Sequence, residues 1–272
     1  MSEPVVLVPL DGSQLALAAL PVAKVLGEIE HAPLHILHVG VSKPAGEEFR
    51  SRLEHGASMP HGFVVEIRLG MPATEILRVA EEMKPRLIVI CKQSADDRVE
   101  MLGHTAMKVL HDAPCPVVLV PPERGPTPWH LHHVLVPHDG TPTTSAALQP
   151  AAELAERAHA ELLVVHITGI GAGSAEPGSL PAPRYVDQPQ HEWPAWTDEF
   201  VKRLACVCPL GHLHVRINLA HGDPAAEILR FSERQATDLI ILAWRGRWEI
   251  PHALTLKDIL REACCPIMVV RA

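Results

Sequence analysis

The sequence predicts an α/β protein of two tandem open parallel-sheet domains with five strands each. Three observations carry that prediction. The chain repeats itself once in the same motif order, and each copy alternates short β-rich runs with amphipathic stretches. Aromatic residues make up only 4% of the 272 positions, against 47% hydrophobic residues overall. The core must therefore be built from Val, Ile, Leu and Ala, the residues that suit buried parallel strands and their covering helices.

The repeat is read from four motif pairs. LVPLDGS at 7–13 returns as LVPHDGT at 135–141, a separation of 128 positions. LGMPATEILR at 69–78 returns as HGDPAAEILR at 221–230, and RLIVI at 86–90 as DLIIL at 238–242, both separated by 152. APCPVVLV at 113–120 answers CCPIMVV at 264–270. The jump in separation places an insertion in the second copy, and residues 169–195, dense in Gly, Pro and small residues, supply it. The expected domains are 1–122 and 132–272, joined by a Pro-rich linker over 123–131 that is too short to let them move far apart.

In the first copy strands are expected near 4–10, 34–40, 63–69, 86–91 and 116–121, with helices near 14–29, 46–56, 72–83 and 102–112. In the second, strands fall near 132–138, 161–168, 212–219, 238–243 and 266–271, with helices near 142–158, 191–206, 224–235 and 255–263. Such alternation means right-handed crossovers with helices on both faces. Pro72 and Pro224 stand where proline starts a helix. The last strands lie at sheet edges, which invite pairing.

Charge and composition exclude several function classes. A formal net charge of −8 opposes nonspecific binding to nucleic acid or anionic membranes. The sequence has neither a membrane-length apolar run nor a signal-peptide pattern, so a cytoplasmic protein is expected. Six cysteines, Cys91, Cys115, Cys206, Cys208, Cys264 and Cys265, form no C-x-x-C pair and read as reduced thiols. The eighteen histidines cluster at His130, His132, His133 and His138, then at His212, His214 and His221. They show no zinc spacing, and scattered or internally satisfied rings are the expectation.

In an open α/β sheet ligands bind beyond the carboxyl ends of the strands, where the order reverses. In a sheet ordered 3-2-1-4-5 that point lies between strands 1 and 4. Asp11-Gly12-Ser13 and Asp139-Gly140-Thr141 leave strand 1 of each copy. Each joins an acceptor carboxylate, a permissive glycine and a helix-capping hydroxyl. Such a triplet alone is a strand–turn–helix junction; its recurrence at the expected crevice raises the functional reading.

These residues together resemble the universal stress protein family. The likeness rests on the V-P-x-D-G-S turn, the G-x-P-x-x-x-I-L helix start, the D-L-I-V-I strand and the A-P-C-P-V-L-V-V strand, and it covers nearly the whole chain. The resemblance implies an adenine-nucleotide α-hydrolase-like sheet ordered 3-2-1-4-5 in each domain, with the two domains pairing within one chain. A homodimer of the whole chain is a further expectation. Part of that family binds ATP through a loop of the form G-x-x-G, nine residues, then G-[S/T] after strand 4. Glycines there let backbone N–H groups approach phosphates.

This chain departs from that loop. Cys91 and Ala243 replace the first glycine, Ser94 replaces the second in the first copy, and Gly246 keeps it in the second. The closing pair becomes Gly103-His104-Thr105 in one copy and Ala253-Leu254-Thr255 in the other. Asp96, Asp97 and Glu100 would repel phosphate in the first copy, whereas Arg245 and Arg247 could hold an anion in the second. The family's base and ribose contacts map onto Pro9, Asp11 and Val39, and onto Pro137, Asp139 and Ile167. Trp244, Trp248, Arg245 and Arg247 suggest stacking on a base or cation–π pairing, but packing of the tryptophans against the partner domain is the leading expectation. The insertion, with Tyr185 and with Trp193 and Trp196 at its end, reads as a lid or a surface loop.

Three functions lead on the sequence, ahead of a fourth, an adenylating enzyme of the wider nucleotide-binding α/β group, for which there is no substrate motif. The first is a noncatalytic stress-response regulator with degenerate crevices that binds a small ligand, ATP or another adenine nucleotide, favoured in the second copy. The second is an ATP-binding, slowly hydrolysing switch. The third is an interaction scaffold without a ligand. No nucleophile–base pair or paired-carboxylate motif supports turnover.

Overall fold

The computed structural model describes residues 4–40, 42, 47–51, 53, 63–92, 102–168, 198–202, 205, 206, 213–248 and 252–272. They form two compact units. The first comprises Met1–Leu131 with Leu260–Val269, and the second His132–Ile259 with Val270–Ala272.

In the first unit, β1 (Val6–Pro9), β2 (Leu34–Gly40), β3 (Val64–Leu69), β4 (Leu87–Cys91) and β5 (Val117–Val120) line up as β3-β2-β1-β4-β5. All four pairings are parallel, with Val6 opposite both Leu34 and Leu87. The inner strands β1, β4 and β5 are buried throughout, as their unbroken aliphatic runs require. The strand at the end of the order, β3, is half exposed. Beyond β5, Ile267–Val269 pair antiparallel with Leu119–Val117.

The second unit repeats the design with β6 (His133–Pro137), β7 (Glu161–Thr168), β8 (Val215–His221) and β9 (Leu239–Trp244) in the order β8-β7-β6-β9. The last strand, β10, is Ile267–Arg271; its end from Val270 belongs to this unit, where Ala272 N donates to Trp244 O at 3.0 Å. The expected strand over 212–219 is observed as Val215–His221, because β7 runs to Thr168 and offers ladder partners as far as His221.

The helices are α1 (Ala19–Glu30), α2 (Pro72–Met83), α3 (His104–Asp112), α4 (Pro142–Ser145), α5 (Leu148–Ala158), α6 (Pro224–Arg234) and α7 (His252–Glu262). Two expected single helices are broken. The stretch 14–29 is a 3-10 turn over Ala16–Ala18 followed by α1, and 142–158 divides into α4 and α5. Proline explains both breaks. Pro21 and Pro150 are the third residues of α1 and α5, and neither has an N–H to bond back across the break. Helix α7 begins at His252 rather than near 255, since Ala253 and Leu256 are buried and draw the first turn onto the sheet. Residues 47–51 and 198–202 are helical, on either side of repeated Phe49 and Phe200.

Aliphatic side chains dominate the core. Leu7, Ile36, Leu37 and Ile88 in the first unit and Leu135, Leu162 and Leu163 in the second are among the largest fully buried groups, and Phe200 joins them. The insertion over 169–195, together with Ser94, Asp96, Asp97, Glu100, Tyr185, Trp193, Trp196, Cys208 and His212, lies outside the described residues.

Candidate functional site

The turn leaving β6 is held by a dense set of hydrogen bonds. Asp139 Oδ1 accepts from Thr141 N at 2.9 Å and from the Thr144 hydroxyl at 2.7 Å. Thr141 caps α4, its Oγ1 accepting from Thr144 N at 3.3 Å. Gly140 has φ of 83°, the left-handed region that suits glycine. Gly140 N donates to His138 Nδ1 at 2.9 Å, so the neutral ring carries its proton on Nε2. Nε2 then donates to Ser145 Oγ at 3.0 Å, and Ser145 Oγ donates to Thr141 O at 3.0 Å. The chain from His138 through Ser145 to Thr141 closes a ring around the turn. Burial alone would raise the Asp139 carboxyl, but the bonds from Thr141 and Thr144 outweigh it and hold the group below its ordinary range. Its Oδ2 makes no hydrogen bond among the described residues.

A second histidine fixes the neighbouring strand. His166 Nδ1 donates to His138 O at 2.8 Å, tying the end of β7 to the start of the turn. Phe200 packs on both rings, with centroids 5.2 Å from His138 and 5.5 Å from His166. Burial pushes His138 down to about 4, and His166 is lowered by the same cause. Both rings are neutral at pH 7. Pro137 and Ile167 end β6 and β7 half-buried, with Pro137 paired to Val165.

The first unit builds the same turn more sparsely. Asp11 Oδ1 accepts from Ser13 N at 2.8 Å, Ser13 Oγ accepts from Ala16 N at 3.2 Å, and Gly12 has φ of 89°. His38 Nδ1 donates to Leu10 O at 2.9 Å, the counterpart of the His166 bond. Leu10 stands where the second unit has His138, so the ring of bonds around the turn is missing there. His38 stacks on Phe49 with centroids 4.3 Å apart, and a Cβ on Gly12 would lie 3.5 Å from Phe49. Chain side chains thus press against the inner side of this turn. Pro9 pairs with Leu37 and ends β1, and Val39 is half-buried on β2.

The loops after the fourth strands differ more. In the first unit Gly103 N donates to Lys92 O at 2.8 Å, which engages the amide that a phosphate would need. Lys92 is itself buried, its Nζ donating to Leu260 O at 3.1 Å and Ala263 O at 3.3 Å. Burial lowers it from the ordinary lysine value, partly offset by Glu123. Thr105 sits half-buried in the first turn of α3. In the second unit Gly246 has φ of 75°, flanked by exposed Arg245 and Arg247. Thr255 lies half-buried within α7. Trp244 is buried and packs on Trp248 with centroids 4.5 Å apart, so its face is occupied by its own chain. Short helix α4, which follows the Asp139 turn, packs against β9, bringing these two loops to the same end of the sheet.

The Asp-Gly-Ser/Thr turns stand out in the sequence as a motif, and the groups that hold them recur more quietly. His38 and His166 recur one residue before Val39 and Ile167, and Glu-Phe recurs at 48–49 and 199–200. Both were visible as repeats. Among the described residues no three His, Cys, Asp or Glu side chains gather as a metal-binding group. No helix among them is long and apolar enough to cross a membrane.

Two α/β units of one strand order, each with an Asp-Gly turn at the switch point, define a tandem open-sheet α/β protein. Comparison with known proteins gives the family. The universal stress protein family profile matches residues 4–121 and 130–271. A universal stress protein of Methanocaldococcus jannaschii is 21% identical over 141 residues, 51% of this chain and 81% of that protein. A universal stress protein structure from Archaeoglobus fulgidus covers 98% of both chains at 18% identity, with a TM-score of 0.64. A functionally unknown protein structure from Pseudomonas aeruginosa covers 99% of this chain and 92% of its own, at 16% identity and a TM-score of 0.69. The chain belongs to the universal stress protein family.

Proposed function

We propose that this protein is a noncatalytic regulator of the stress-response class whose second unit binds one small adenine-nucleotide-type ligand, while its first crevice is closed by its own side chains. The observation that carries this reading is the Asp139 turn. One carboxylate oxygen is fixed by Thr141 and Thr144, the turn is braced by His138 and Ser145, and the other oxygen makes no hydrogen bond among the described residues. A pre-set acceptor loses little freedom when a ligand arrives. The His38–Phe49 stack beneath Gly12 and the engaged Gly103 amide support the opposite reading for the first unit, a packing scaffold.

Native mass spectrometry of freshly purified protein, followed by calorimetric titration with ATP and Mg²⁺, tests the proposal. Expected is one nucleotide per chain, with binding abolished by Asp139→Ala and retained by Asp11→Ala. No bound nucleotide and no heat of binding in a folded sample would overturn it. Steady release of ADP in the same sample would instead favour the alternative, an ATP-binding and slowly hydrolysing switch.

A further inference from the structure

The segment that completes the first unit, Leu260–Val269, carries two adjacent thiols. Helix α7 ends at Glu262, Cys264 and Cys265 form a bend, and β10 begins at Ile267. Both cysteines are outside any disulfide. Cys264 is exposed, and its thiol reaches Glu262 O only at 3.8 Å, a weak hold on a sulfur. Cys265 is half-buried. The first repeat has Pro114-Cys115 at the same place between α3 and β5, so it has one sulfur where the second has two. Cys115 has no adjacent cysteine in sequence, and burial pushes its thiol up to about 12, which keeps it inert.

A buried cation marks the same bend. Lys92 Nζ donates to Leu260 O at 3.1 Å and to Ala263 O at 3.3 Å, so it grips the chain at the residue before Cys264. Its charge also interacts with the Cys264, Cys91 and Cys265 sulfurs. On the other side Pro266 leads into the pairing of Ile267 with Leu119. The two thiols are thus held between an ammonium and a sheet edge. A disulfide usually joins Cα atoms about 4.4–6.8 Å apart, whereas neighbours across a trans peptide are about 3.8 Å apart. Linking Cys264 to Cys265 therefore twists the backbone between them. The twist falls next to Ala263 O, an acceptor that the buried ammonium needs. Strain of this kind makes a disulfide easy to reduce, which suits a reversible modification and not a permanent staple.

We propose that Cys264 and Cys265 form a modification site for hydrogen peroxide, closing to a vicinal disulfide that loosens the hold of Lys92 on Leu260–Val269. The exposed Cys264 sulfur, as thiolate, attacks one oxygen of the peroxide. The O–O bond breaks, the leaving hydroxide takes up the proton that the thiol released, and a sulfenic acid remains on Cys264. The Cys265 sulfur then attacks the Cys264 sulfur. The S–O bond breaks, and its hydroxyl leaves as water with the Cys265 proton. Two thiols are oxidised by two electrons in all, and one peroxide is reduced to two waters. A thiol reductant reverses the link by exchange. The site needs no ligand at the Asp139 turn and stands apart from the nucleotide reading.

The test treats the full reduced chain with hydrogen peroxide, digests it with trypsin without reduction, and weighs the peptides. Cleavage after Arg261 and Arg271 gives a peptide, 262–271, that carries these two cysteines and no other. Expected is that this peptide becomes lighter by the two thiol hydrogens and refuses iodoacetamide, and that dithiothreitol reverses both changes. The oxidised chain should melt at least about 2 °C below the reduced one. Cys264→Ser, treated alike, should lose the mass change and the melting shift together. Cys264→Pro, which supplies the residue of the first repeat, should do the same and keeps the test alive if serine perturbs folding. A peptide that still takes two iodoacetamide groups after peroxide would overturn the proposal. So would oxygen added to one sulfur without a link, or a disulfide between two chains. A link formed with an unchanged melting point would support the modification and overturn its coupling to Lys92.

Discussion

Two histidines stand in backbone conformations that glycine usually takes. His31 and His159 end α1 and α5 with φ of 50° and 53°, and each donates its N–H back to the last turn. Left-handed backbone costs an ordinary residue about 1 kcal/mol relative to glycine, and both rings are exposed, so no packing offsets the cost. His159→Gly should therefore stabilise the protein by about 0.5–1 kcal/mol, read as a higher urea midpoint with an unchanged slope. A lower midpoint would show that the ring contributes more than the backbone costs. His138 works in the opposite sense. Its folded value near 4 lies below the ordinary 6.5, so below pH 6.5 the unfolded chain takes up a proton that the folded chain refuses. The stability conferred by the neutral ring is complete above about pH 6.5. It declines as pH falls toward 4, by up to about 3 kcal/mol, and then levels. His138→Leu, the residue found at the matching position of the first repeat, should flatten that part of the stability profile between pH 7 and 4.5. Identical profiles for the two proteins would remove His138 from the account. The Asp-Gly-Thr turn was legible because the bonds of Asp139 and Thr141 span two to five residues. The His166 bond to His138 O spans 28, and nothing local announces it.

At the scale of elements, the strands were legible and the helix starts were less so. Buried parallel strands write themselves as aliphatic runs, and β2, β7 and α2 carry the expected ends. Periodicity alone fused Ala16–Ala18 with α1 and α4 with α5, because the apolar spacing continues across each break. The missing amide of a proline three residues into a helix is a stronger local signal than spacing, and Pro21 and Pro150 carry it in both repeats. The second break has a consequence for the site. It leaves α4 as a single turn whose threonines and serine bond back to Asp139 and Thr141 instead of continuing the helix. The loop after β9 was the least legible element. Arg245 and Arg247 stand out by their place in the motif, whereas Arg271, whose guanidinium lies 5.7 Å from the Trp244 ring centroid, is remote from them in sequence.

At the scale of the molecule, the first unit is discontinuous in sequence. Leu260–Val269 packs with residues 1–131, covers the β5 edge through Ile267–Val269, and supplies both carbonyls that hold the buried Lys92 ammonium. A buried ammonium that loses its acceptors costs several kcal/mol unless it gives up its proton or finds water. A fragment of residues 1–131 should consequently aggregate or unfold noncooperatively. A soluble monomeric fragment with a sharp thermal transition would count against that expectation.

The same discontinuity orders events during synthesis. When Leu131 leaves the ribosome, the strand that completes the first unit has still to be translated, roughly 140 residues later. At about 5–20 residues per second the unfinished edge waits on the order of 7–30 s, far longer than a hairpin or helix needs to form. The N-terminal half of this chain is thus translated first and finished last, and for that interval its Val117–Val120 edge is a surface that a chaperone could guard.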